Sequence, residues 1–378
     1  MIRIVVLGGG FAGIAACKAL LKNTNRSEVQ IILIDKNSYH LFTPSLYELA
    51  SAEETTKNIC IPLHEILKGI ELIKGEVQRV SNKEVLIKQT NKLKDVSMTF
   101  DYLIIALGSE SAYYGIPGLK EYSIPFKTLE DAVKIKEAIK RIKGKNLPAG
   151  RQVIIGGGGF SGTELACELV RHRNGQNLTV IQGSECLLKE LDKRICNKAT
   201  ERLEKKGVKI VLGSHIKKVD KNFAYTDSEK YPYDVFVWTG GVEANSVQND
   251  FEKDKRGDLV VNDKLQITNS KNIFAAGDIA AGYPWVAQIA EDEGKLAGEN
   301  VANLTKGKPL KSYEFNHFGY VVPLGGHFAA AQLGKTVFMG FLGWVLEQIV
   351  LLRYLLSILP LNKAFKRWNR FEEYLVLK

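Results

Sequence analysis

One pattern of apolar and polar positions occurs twice along the chain. "IRIVVLGGGFAGIAACKALL" near the start and "RQVIIGGGGFSGTELACELV" from residue 151 each give an apolar run, a glycine cluster, then apolar residues at helical spacing. A short unbroken apolar run closed by glycines predicts a strand buried on both faces, and the following stretch predicts a helix. A second apolar run follows each helix, "VQIILID" and "NLTVIQG". "FDYLIIALGS" (Phe100–Ser109) and "NIFAAGDIA" predict two further buried strands, ending at Gly108 and at Gly277-Asp278, the latter with a helix after it. Strands alternating with helices in this way predict an α/β fold built on parallel sheets.

The glycines carry the first chemistry. Gly8, Gly10 and Gly13 occupy the GxGxxG positions, with Phe11 and Ala12 between the last two. The first permits a tight turn, the second lets a pyrophosphate approach the backbone, and the third lets helix and strand pack closely. Phosphates then sit on free N–H groups at the positive end of the helix. Asp35, followed by Lys36, closes the second strand, where a carboxylate can accept hydrogen bonds from both ribose hydroxyls. Gly157, Gly159 and Gly162, with Phe160 and Ser161, repeat the arrangement, and Gln182 stands where Asp35 stood. Two such units predict two dinucleotides, one resident and one visiting.

Length and composition narrow the field. A chain of 378 residues implies two or three domains. A formal charge of +10 favours an anionic partner. Nucleic acid is not expected, because there is no finger spacing or aromatic RNA-binding signature. The five cysteines, Cys17, Cys60, Cys167, Cys186 and Cys196, form no CxxC and no close pair in the sequence. No disulfide framework or metal site is therefore expected. "MIRIVVLGGG" enters a strand at once and offers no leader, so a cytoplasmic chain is expected.

"GGGFAG", "DYLIIALGS", "GGGFSGTE", "VWTGGVEAN" and "AAGDIA", in this order, resemble the two-dinucleotide flavoprotein disulfide reductase superfamily over about residues 1 to 300. The resemblance implies an α/β fold with two Rossmann-like domains and a C-terminal membrane-docking region. FAD, one per chain and non-covalent, is expected on residues 1–111 and 246–310, NAD(P)H on 112–245, with 311–378 as the C-terminal domain. The FAD contacts it implies are Gly8, Gly10, Phe11, Ala12, Gly13, Asp35, Lys36, Pro44, Ala106, Gly108, Gly277, Asp278, Ala287 and Gln288. Those to NAD(P)H are Gly157, Gly159, Phe160, Ser161, Gly162, Glu164, Gln182, Gly240 and Gly241.

Without a close cysteine pair, disulfide reduction is not expected, and without a cysteine after Cys196 neither is sulfide oxidation. "HLFTPSLYELASAEET" and "PWVAQIAEDEGKLAGENVAN" instead resemble the type II NADH:quinone oxidoreductases, which pass electrons from NADH through FAD to a membrane quinone without pumping protons. In that family the Ala287-Gln288 pair lies against the flavin and lines the quinone pocket, while Glu164 handles protons or charge near the nicotinamide. Glu164 falls in the first turns of its helix and can look into the cleft, with a solvated carboxylate as the lesser alternative, and Glu168 is read as solvated. Asp292 stands where relatives carry a second Gln. It shares a helix face with Gln288, so a proton-donor role and a changed quinone preference are both open. Neutral Gln182 does not repel a 2′-phosphate, yet no arginine follows to grip one, and NADH is favoured. Pro44 and Tyr47 are expected near the ring or quinone channel. Two other readings remain: a soluble reductase of a ferredoxin- or rubredoxin-like protein, and a redox-sensing flavoprotein.

"FLGWVLEQIVLLRYLLSILPLNKAFKRW" (Phe341–Trp368) is apolar, is interrupted by Glu347 and Arg353, and ends among Lys363, Lys366, Arg367 and Arg370. Spanning a membrane would cost roughly 2.5–3.5 kcal/mol for each of those two charges. An interfacial helix pair fits better, with Trp344, Leu351, Tyr354, Leu355 and Ile358 on one side and the basic residues at acidic headgroups. The expected place is peripheral, on the cytoplasmic side of the cell membrane. The chain stops at Lys378, so a final amphipathic helix of some relatives is expected to be missing. Docking would then rest on fewer contacts, or on a homodimer presenting two tails.

Overall fold

The apolar runs become parallel strands. The structure is a computed structural model that describes residues 1–51, 59–89, 95–142, 152–171, 177–315 and 319–376, with side chains to Asn369. Residues 52–56 of the His40–Thr56 stretch, Arg151 and the Arg370 side chain lie outside the described residues.

The chain divides into two compact units, the first comprising Met1–Leu41, Cys60–Glu110 and Val242–His317. Its sheet runs Ile273–Ala275, Tyr102–Ile105, Ile2–Leu7, Val29–Asp35 and Glu71–Val80, all parallel. Glu84–Gln89 and Val96–Thr99 extend it antiparallel. Val5 pairs with Ile32 on one side and Leu103 on the other, and all three are buried. The glycine-turn strand thus lies between the next strand in sequence and a much later one. At such a reversal of strand order a crevice opens beyond the carboxyl ends.

Helices Phe11–Asn23 and Ala287–Leu304 pack together in this unit. The seam is made of small residues. A Cβ on Gly294 would lie 2.0 Å from the Ala12 carbonyl oxygen, and one on Gly298 would lie 2.4 Å from that of Ala16. Backbone meets backbone there, so the helix carrying Gln288 is held against the helix of the first glycine turn. The expected helix immediately after Asp278 is absent. The chain turns at Gly277–Ala280 and becomes helical only at Ala287, because Gly282 and Pro284 intervene.

The second unit comprises Phe42–Ile59, Ser111–Gly241 and Phe318–Lys378. Its sheet runs Ile124–Pro125, Val235–Trp238, Val153–Gly156, Leu178–Ile181 and Lys209–Val211, again parallel with the glycine-turn strand inside. The antiparallel strands Tyr320–Pro323, Ala329–Leu333 and Thr336–Gly340 belong to the same unit. Phe160 stacks near Tyr320 with ring centroids 5.6 Å apart, and the Arg202 guanidinium lies 3.8 Å from the centroid of the Phe328 ring.

The tail forms two helices, Phe341–Ile358 and Leu361–Val376, broken at Pro360. Gly343 lets the first lie directly on the sheet, since a Cβ there would sit 2.2 Å from the Ala329 carbonyl oxygen. The helix faces differ from expectation. Leu351, Tyr354, Leu355 and Ile358 point inward, and Tyr354 stacks on Phe42 at 5.3 Å. Among the described side chains of the tail, Phe341, Leu342, Ile349, Val350, Leu356, Leu361 and Phe365 are the exposed large apolar residues. The helix is apolar on both sides, and the three-stranded sheet takes the side that the sequence pattern had assigned to lipid. Its 18 residues and mean hydropathy of 1.6 would suffice to cross a membrane, but one face is committed to its own chain.

Gly294→Val is expected to destabilise the protein by about 3 kcal/mol, the upper range of core overpacking, because backbone rather than a flexible side chain blocks the new group. Urea unfolding checks this.

Candidate functional site

The two glycine turns are near copies in three dimensions. Gly8 and Gly157 have φ of 100° and 112°, a left-handed conformation that favours glycine. A Cβ on Gly13 would lie 1.8 Å from the Gly8 carbonyl oxygen, and one on Gly162 would lie 2.0 Å from that of Gly157. At Gly10 and Gly159 an added Cβ would meet nothing within 4 Å. Each middle glycine therefore faces open space at a helix start that has no side-chain cap and no acidic residue in its first turn. These are the properties a pyrophosphate cradle needs.

The second-strand residues are equally matched. Asp35 Oδ2 accepts from the Gly9 N–H at 2.6 Å, and Gln182 Oε1 accepts from the Gly158 N–H at 2.9 Å. Each side chain is tied to the turn its strand faces. Burial raises the Asp35 pKa, opposed by the N–H groups of Gly9 and Asn37. Lys36 points to solvent.

His40 escaped the sequence reading. It is fully buried, its Nδ1 lies 3.1 Å from the Gly9 carbonyl oxygen, and its ring meets the Phe11 ring edge-on at 4.9 Å. Burial lowers its pKa to about 4, so it braces the turn as a neutral ring. A lone His between Tyr39 and Leu41 in a three-residue strand gives no periodic signal.

Beyond the carboxyl ends of the neighbouring strands Tyr102–Ile105 and Ile273–Ala275, Asp278 Oδ2 accepts from the Ser109 hydroxyl at 2.6 Å. Gly108 and Gly277 both have positive φ, and Ala106 is buried beneath Gly8, whose Cβ position is filled by the Ala106 carbonyl. Glu293, also missed, is buried and accepts from the Gly277 N–H at 2.6 Å. Burial raises its pKa to about 8, helped by Asp278 and Asp292 and opposed by the Gly277 N–H. Ala287, Gln288 and Asp292 are half-buried on the same helix, and residues 288 and 292 are one turn apart.

In the second unit, Glu164 is not a solvated helix carboxylate. It keeps a sliver of solvent access but is densely enclosed, and burial, reinforced by Glu347, raises its pKa to about 8. Glu168 is also buried rather than solvated, paired with Arg171 at 2.8 Å. Tyr47 is buried and Pro44 is exposed. Beyond the second sheet's Val235–Trp238 strand, Gly240 and Gly241 are half-buried. A Cβ on Gly240 would strike the Trp238 ring at 2.2 Å.

The cysteines need one correction. Cys186 and Cys196, ten residues apart, are in contact, and the Cys196 thiol also reaches the Leu188 carbonyl oxygen at 3.3 Å. The loop after Leu178–Ile181 folds back on the next helix, which sequence spacing cannot reveal. This pair is not in the helix that follows either glycine turn. Burial pushes the Cys167 thiol up to about 12 and the Cys196 thiol to about 11, and raises Cys17 as well, so all three are poor nucleophiles.

The family model of the pyridine nucleotide-disulphide oxidoreductases matches residues 2–294, and the chain belongs to that family. The type II NADH:quinone oxidoreductase of Staphylococcus saprophyticus is 26% identical, over 97% of this chain and 98% of the relative. That of Staphylococcus aureus is also 26% identical, with the same coverage. Among solved structures, NDH2 from Plasmodium falciparum in complex with NADH superposes with a TM-score of 0.83 at 17% identity, covering 98% of both chains. The sulfide:quinone oxidoreductase from Aquifex aeolicus gives 0.78 at 18% identity, covering 93% of this chain and 90% of that one.

A carboxyl whose pKa is raised on folding costs stability as pH climbs from its unfolded to its folded value. For Glu293 that window runs from 4.5 to about 8. Glu293→Gln keeps an acceptor for the Gly277 N–H, so the alkaline loss of stability across this window should flatten. Thermal unfolding at a series of pH values reads it.

Proposed function

We propose that this chain is an FAD-dependent type II NADH:quinone oxidoreductase that takes a hydride from NADH and delivers two electrons to a membrane quinone without pumping protons. The observation that carries the reading is the doubled glycine turn, each copy with its open middle glycine and tethered second-strand residue, in a chain alignable end to end with enzymes of that name.

The residues present fit FAD on the first unit. The Gly8–Gly13 turn and its uncapped helix hold the pyrophosphate, Asp35 takes the adenosine ribose, and Asp278 meets the ribityl chain. Phe11, Ala12, Lys36, Ala106, Gly108 and Gly277 complete the contacts. FAD bound there would supply a two-electron acceptor for the hydride. On the second unit, the Gly157–Gly162 turn, with Phe160 and Ser161, holds the NADH pyrophosphate. Gln182 takes its ribose, Gly240 and Gly241 let it approach the backbone, and Glu164 holds a proton. Ala287 and Gln288 line the quinone side, with Asp292 one turn on. These residues position the reactants and hold charge, which is most of what an enzyme of this kind must supply.

The exposed stripe Leu342, Ile349, Val350, Leu356, Leu361 and Phe365, beside Lys363 and Lys366, suits an acidic bilayer surface. The chain rests there as a peripheral protein on the cytoplasmic face, and a homodimer would present two such tails. With 2.5–3.5 kcal/mol against each charge that enters the core of a bilayer, roughly, the exposed Arg353 stays at the interface.

A steady-state assay with NADH and a short-chain quinone, with and without anionic vesicles, tests the reading. Turnover is expected in both, and its absence would reject it. A ferredoxin-type reductase would ignore the quinone, and a redox sensor would stay reduced. Leu342→Glu combined with Ile349→Glu is expected to abolish co-sedimentation with those vesicles while leaving soluble-quinone turnover unchanged. Gln182→Glu should lower kcat/KM for NADPH relative to NADH about tenfold, one added repulsion of about 1.4 kcal/mol against the 2′-phosphate.

A further inference from the structure

Glu347 is a carboxylate in the most apolar helix of the chain, on the face that packs against the protein. Its Oε1 lies 3.4 Å from the Tyr47 hydroxyl, and that hydroxyl also reaches Glu48 Oε1 at 3.3 Å. Tyr47 and Glu48 come from the short helix Leu46–Ser51, which packs on Phe160–Leu169, the helix of Glu164. Glu164 lies within electrostatic range of both Glu347 and Tyr47. Glu168, ion-paired with Arg171, also acts on Glu347 and Tyr47. All of these residues belong to the second unit.

We propose that Glu347 is the proton partner of Glu164: the two carboxyls share one proton beside the Tyr47 hydroxyl, and Glu347 sets the pH at which Glu164 gives that proton up. This rests on the reaction proposed above. The overall conversion is NADH + H⁺ + quinone → NAD⁺ + quinol. The hydride carries both electrons and one hydrogen, so one proton must come from elsewhere. The pair supplies it, Glu164 as donor and Glu347 as the positioning residue behind it, and solvent returns it.

The physics favours sharing. Two enclosed carboxylates cannot both ionise cheaply, because each is desolvated and each repels the other. Burial raises both pKa values to about 8, Glu347 adding to the rise at Glu164 and Glu168 to that at Glu347. Tyr47 opposes the rise at Glu347 by donating its hydrogen bond, and its own pKa goes well above 10. A phenol that stays protonated is a fixed donor. The pair therefore holds a proton at neutral pH where a lone solvated glutamate would hold none.

Two substitutions should move the chemistry in opposite directions. In Glu347→Gln the neighbouring charge is gone, so Glu164 loses its proton earlier. The alkaline limb of the kcat–pH profile with NADH and soluble quinone should fall by about one unit, the size of a close like-charge interaction. In Tyr47→Phe the carboxylate loses its donor, and the limb should rise. Glu347→Asp keeps the carboxyl and should restore the wild-type limb. A merely structural lesion would lower flavin content or kcat without shifting the limb in two directions.

Infrared difference titration of the holoprotein gives a readout independent of turnover. The protonated-carboxyl C=O band should disappear near pH 8 in the wild type and lose intensity, at lower pH, in Glu347→Gln. An unchanged band and an unchanged limb in Glu347→Gln would overturn the partnership. If the wild type turns over no quinone, the reaction is rejected, while the infrared titration still decides whether the proton is shared.

Discussion

Each unit depends on one close approach of backbone to backbone. The third glycine of each motif lies against the carbonyl of the first, so the helix begins directly beyond the strand that feeds it. Any Cβ there would push the helix away, and with it the N–H groups and positive dipole end that an anionic pyrophosphate requires. The left-handed φ at Gly8 and Gly157 makes the turn short enough for that contact. The remaining contacts of the turn stabilise this geometry. Asp35 and Gln182 tie the second strand to it, and His40, kept neutral by burial, holds the first turn from below.

Close approach recurs where the helices of Gln288 and Glu347 are fixed. Gly294 and Gly298 set the Gln288 helix on the first turn helix, and Gly343 sets the Glu347 helix on its sheet. Glycine supplies proximity at these seams. The carboxylates beside them then lose solvent, which raises the pKa of Glu293 and of the Glu164–Glu347 pair, while ion pairs on the surface lower those of Asp192 and Glu201. One residue type does two kinds of work, decided by what packs around it.

The tail shows how burial redistributes an apolar helix between two uses. One side of it is spent on its own chain, through Leu351, Tyr354, Leu355 and Ile358, and the other is left facing outward. A span would need the whole circumference free for lipid, whereas a surface-lying helix needs only one side. The inward side also carries Glu347, whose charge would be costly in lipid and which here has the Tyr47 hydroxyl as a hydrogen-bond donor.

The sequence by itself determined the doubled strand–turn–helix units, because continuous apolar runs closed by spaced glycines have few other solutions. It likewise placed Asp35, Gln182, Gly277 and Asp278 at strand ends and Gln288 on a helix, since each lies close to a motif. Only the tertiary structure decided which face of the tail points inward, because a helix apolar all round has no periodicity to read. It alone brought Cys186 to Cys196, moved the helix start from Asp278 to Ala287, and buried Glu168. His40, Glu293 and Glu347 were illegible for the same reason: their roles come from neighbours distant in the chain, and burial by distant neighbours leaves no local pattern.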